Sequence, residues 1–129
     1  MSRQIAVYHR EWTARLQEAL PHLSKPQVVV LALFSLGMVY ARSCARSAVA
    51  AFLAVALEQS PNTLRQRLRE FCWEAAAKAG PQRQAVAVET CFVPLLRWVV
   101  GRWQGTQLAL ALDATSLGER FAVLAISVV

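Results

Sequence analysis

A chain of 129 residues fits one ordinary domain and leaves no room for two large ones. It is 56% hydrophobic and only 17% charged. Typical soluble domains are about 45–50% apolar and about 25% charged, so an intrinsically disordered chain is excluded. The formal net charge is +6, and all basic residues except Lys25 and Lys78 are Arg. Guanidinium groups bind phosphate bidentately, so the bias suits nucleic acid or anionic lipid, or it reflects a GC-rich coding sequence.

In chain order, Ile5, Tyr8, Trp12, Leu16 and Leu20 recur at helical spacing, opposite Arg10, Glu11, Arg15 and Glu18. They predict an amphipathic helix that ends before Pro21. Ser24-Lys25-Pro26-Gln27 reads as the next helix start, with Ser24 and Gln27 forming a capping box. That second helix, from Pro26 to about Arg42, is apolar nearly all round and is expected in the core. An Ala-rich third helix covers 47–58. Ser60 and Pro61 open a fourth, whose apolar stripe is Leu64, Leu68, Phe71, Cys72 and Ala75 and whose stop is Gly80-Pro81. A fifth helix is expected over 88–103, with Phe92, Leu95, Leu96, Val99 and Trp103 on its apolar face.

After Gly105 the period changes. Residues 107–113 alternate as a strand, 114–120 supply a turn containing Gly118, and 121–129 form a second, β-branched strand. A hairpin that is apolar on both faces needs further strands and covering helices, or a second copy of the chain. The fold expected is mainly α: about five helices in residues 1–104, then a β-hairpin in 105–129.

Membrane and cysteine signals are weak. The longest apolar run, 28–41, falls short of the ~18–20 residues that span a bilayer. Residues 1–12 are polar and charged, unlike a signal peptide. Cys44, Cys72 and Cys91 are widely spaced in sequence and remote there from His9 and His22, which supports neither a disulfide framework nor a zinc site. Buried free thiols and a cytoplasmic location are the expectation.

Two places can carry chemistry. Asp113, at the end of an apolar strand, reads either as a hard-metal ligand or as a turn cap to the amides of Thr115 or Ser116. The start of the fourth helix follows a short turn after the Ala-rich helix, as in a helix-turn-helix. Arg65 and Arg69 share a face there, with Asn62 and Gln66 nearby for base edges, while Arg67 points away. Arg42 and Arg46, after the second helix, join them as DNA-binding candidates. The same run also reads as a solvated basic face. No Gly-rich phosphate loop, Ser/His/Asp set or H-E-x-x-H is present.

The segment LALALDATSLGERFAVLAISVV (108–129) resembles the strand-turn-strand that opens the catalytic domain of bacterial insertion-sequence transposases of the DDE type. Segments 23–46, 60–71 and 89–103 resemble the helical N-terminal region of the same family. The resemblance implies an RNase H-like α/β domain beginning at the hairpin. It implies acids holding two divalent metals, usually Mg²⁺, with Asp113 matching the first, and helices that bind the terminal inverted repeats of a mobile DNA element. The family's second Asp and its Glu have no match in this chain. The expectation is therefore an N-terminal, truncated part of a transposase that binds DNA, is inactive alone, holds no Mg²⁺ by itself and self-associates through its hairpin. The alternatives are a non-enzymatic helical DNA-binding or interaction protein and, further off, a small membrane protein.

Overall fold

The computed structural model describes residues 2–73, 84–107, 109–117 and 121–128. Among these lie five helices, α1 (Ser2–Ala19), α2 (Lys25–Ala41), α3 (Arg46–Leu57), α4 (Pro61–Phe71) and α5 (Glu89–Gly101). Two strands follow, β1 (Leu110–Leu117) and β2 (Phe121–Val128). The architecture is mainly helical. Where the sequence places a boundary at 104–105, the chain divides into two compact units, Met1–Trp98 and Val99–Val129.

In the first unit, the helix starts and stops follow local chemistry. The Ser24 N–H donates to the Gln27 side-chain oxygen at 2.9 Å, one arm of the capping box at the start of α2. Both α2 and α3 end on a left-handed residue, Arg42 at φ 49° and Glu58 at φ 53°. The chain then folds back: Ser43 donates to the Met38 carbonyl at 3.2 Å and Gln59 to the Ala54 carbonyl at 3.0 Å. Proline at the first turn of α4 costs nothing, because that amide has no helical partner.

Two apolar clusters hold these helices. Leu33 of α2, Val49, Ala50, Leu53 and Ala54 of α3, and Leu64 and Leu68 of α4 form the larger. Leu16, Leu20, Leu23, Val28 and Ala32 form the other, at the packing of α1 on α2. The axes of α2 and α3 bend by 95° at their junction. Gly37 permits that approach, since a Cβ there would stand 2.7 Å from Val49 Cγ1 and 3.0 Å from Leu53 Cδ1. Across α1 and α2, the Trp12 indole N–H donates to Ser35 Oγ at 2.8 Å.

Several expectations need correction. The C-terminal end of α2 departs from the core position expected for it, with Val39 73% exposed, whereas Val28, Ala32, Leu33 and Gly37 are buried and the residues between them are half-buried. α4 ends at Phe71, so Cys72 lies past its last turn; Ala75 and the expected stop at Gly80-Pro81 fall outside the described residues. Cys44 and Cys72 are exposed and Cys91 is half-buried, against the expected buried thiols. α5 contributes no buried residue, and Phe92 on its expected packing face is 61% exposed.

In the second unit β1 and β2 pair antiparallel, from Leu110 opposite Val128 to Leu117 opposite Phe121. β1 therefore runs on through Ala114, Thr115, Ser116 and Leu117, which the sequence assigns to the turn. β-branched and small residues tolerate extended backbone well enough for pairing to override the local turn signal.

Candidate nucleic-acid interface

The α3–turn–α4 segment is a helix, a three-residue connection (58–60) and a second helix. Leu64 and Leu68, one turn apart, are buried and dock α4 on α3. Successive residues step by about 100° around a helix, so this anchoring fixes which side chains face outward. Asn62, Arg65, Gln66 and Arg69 stand at i, i+3, i+4 and i+7 and share one face. With Arg46 and Ser47 from the first turn of α3 they line a groove of about 400 Å³.

Three guanidinium groups thus line one concave surface beside carboxamide and hydroxyl groups. The Arg69 Nη2 donates to Gln66 Oε1 at 2.7 Å. Gln66 Nε2 in turn donates to the Glu70 carboxylate. The Arg69 guanidinium also sits over the Trp73 ring, 5.0 Å from its centroid. Cation–π stacking and a side-chain acceptor together restrict a chain that is otherwise rich in rotamers.

Arg67 is exposed but does not line the groove, being about 200° around the helix from Arg65. Arg42 is exposed as well and is the left-handed C-cap of α2, outside the groove lining. Ser47, Glu70 and Trp73 belong to the groove or its support and were not among the sequence candidates. Glu70 and Trp73 are marked in the sequence as i, i+4 partners of Gln66 and Arg69, whereas nothing local marks Ser47.

Asp113 is not at a strand end. It is the fourth residue of β1, opposite Ala125, and exposed. Mid-strand it cannot cap the turn that the sequence placed directly after it. A two-metal site needs several carboxylates converging within a few ångströms. Among the described residues there is no group of three or more His, Cys, Asp or Glu that could hold a metal ion. Those residues do not fit the Mg²⁺ pair that the resemblance implies. His22 and Cys91, remote in sequence, do meet in space with Sγ 3.6 Å from Nε2, a pair that lacks a third ligand among the described residues.

No single helix among the described residues is long and apolar enough to cross a membrane; α2 and α3 together reach that length and composition, but as the bent pair. Comparison with known proteins gives no match to a family model, a curated protein or a solved structure.

Proposed function

We propose that this chain binds duplex DNA through the α3–α4 helix-turn-helix, with α4 entering the major groove. One observation carries the reading: Arg46, Ser47, Asn62, Arg65, Gln66 and Arg69 line a single groove on the outer face of the second helix. That face carries the residue types that read bases and bind phosphates. The net charge of +6 supplies a favourable long-range field.

In the fuller form of this reading the chain is the DNA-binding region of a DDE-type transposase, its targets are the terminal inverted repeats of a mobile element, and it works in the cytoplasm. β1 and β2 then correspond to the opening strands of an RNase H-like domain, and Asp113 to the first of its acids. DNA binding, not strand transfer, is the activity assigned to these 129 residues.

An electrophoretic shift with duplex DNA at low salt tests the proposal. Retention is expected, and a double substitution of Arg65→Ala with Arg69→Ala is expected to abolish it. No shift, or an unchanged shift in the double variant, contradicts it.

A second reading, a helical DNA-binding protein that self-associates through its hairpin, is favoured by the exposure of Leu110 (59%) and Leu112 (68%) on β1. Under it, sedimentation velocity gives a concentration-dependent dimer that Leu112→Lys dissociates. A monomer at all concentrations removes it.

A further inference from the structure

Gln66 cannot serve as a base reader while it holds its observed partners. Its oxygen accepts from Arg69 at 2.7 Å and its nitrogen donates to Glu70. A bidentate contact to adenine needs both ends of the carboxamide. Arg69 is in the opposite situation. It has five N–H donors in a planar fork, of which one goes to Gln66. Its guanidinium carbon stands over the Trp73 ring, 5.0 Å from the centroid, and the N–H groups not given to Gln66 remain for recognition.

Building on the DNA-binding proposal, we infer that Arg69 is the guanine-reading residue of α4, and that Gln66 and Trp73 are positioning residues that hold its fork. Three features support a base over a phosphate as its target. Two neighbours fix the guanidinium, as recognition of the O6 and N7 atoms of guanine in one plane requires, whereas a phosphate, with several equivalent oxygens, tolerates a mobile fork. The Glu70 carboxylate, tied to the same network through Gln66, repels a phosphate at that end of the helix. Arg46 and Arg65 line the same groove without any hydrogen-bonded tether to the network and supply the phosphate-seeking charge.

The test selects binding sites from a pool of randomised duplex DNA, using the full chain and the variants Arg69→Lys, Gln66→Ala and Trp73→Leu, with circular dichroism to confirm their helix content. The wild-type chain is expected to enrich sites sharing a defined guanine. Arg69→Lys keeps the charge and loses the fork, so preference for that guanine falls roughly tenfold while the salt dependence of binding is unchanged. Gln66→Ala and Trp73→Leu are expected to relax the same position in part and no other. If Arg69→Lys retains the wild-type site, or if the two supporting variants weaken all sequences equally, the assignment is overturned while DNA binding stands. If the wild-type chain binds no duplex at all, the parent proposal falls and this inference with it.

Discussion

Leu33, Leu53, Leu64 and Leu68 in α2–α4 are all at most 1% exposed, whereas Phe92 and Leu96 in α5 and Leu110 and Leu112 in β1 are about half exposed or more. The side chains are chemically alike; their neighbours differ. α3 presents Ala50 and Ala54, and α2 presents Gly37 where α3 crosses. These small residues let backbones approach until the leucines of α4 are enclosed. A two-stranded hairpin has no second layer and cannot enclose either face by itself. Hydrophobicity thus gives a tendency to be buried, and complementary shape decides whether burial happens.

Substitutions in the two regions should differ in their effect on stability. The largest loss is expected for Leu68→Ala, which empties a fully buried site between α3 and α4. It should cost about 2–5 kcal/mol in chemical denaturation and separate α4 from its support. A cost below about 1 kcal/mol would mean that the α2–α4 cluster is not the core described. Gly37→Ala comes next. A methyl group 2.7 Å from Val49 Cγ1 requires Val49 or the helix carrying it to shift, for an expected loss of about 1–3 kcal/mol.

Arg42 and Glu58 occupy left-handed backbone with side chains that disfavour it. Glu58→Gly should therefore stabilise the first unit by about 0.5–1 kcal/mol, seen as a higher midpoint in thermal unfolding. The same gain is expected for Arg42→Gly, with little change in DNA affinity because Arg42 lies outside the groove lining. The smallest effect belongs to the other region. Leu112→Thr removes an exposed side chain and should stay within about 0.5 kcal/mol in dilute monomer. A large loss there would show that β1 is covered.

Much of the helical unit was legible because its signals are local. Ser24 with Gln27, Ser60 with Pro61, and the Leu64 and Leu68 spacing mark starts and faces directly in the sequence. The groove was partly legible for the same reason, since Asn62, Arg65, Gln66 and Arg69 fall on one face by helical arithmetic alone. Arg46 and Ser47 join them through the folding of α3 against α4, which no periodicity expresses. The approach of His22 to Cys91, 69 positions apart, is of the same kind. Asp113 lies in mid-strand rather than at a strand end for a different reason. Thr115 and Ser116 carry turn chemistry and strand propensity at once, and antiparallel pairing with Val123 and Ala122 decides between them.

The central claim is that the α3–α4 groove binds duplex DNA through its arginines. Fluorescence anisotropy of a labelled duplex, titrated with the full chain at a series of salt concentrations, measures this most directly. A slope of log K against log salt of about −2 or steeper is expected, which Arg65→Ala makes shallower by roughly 1. Binding that is absent at low salt, or a slope that Arg65→Ala leaves unchanged, would contradict it.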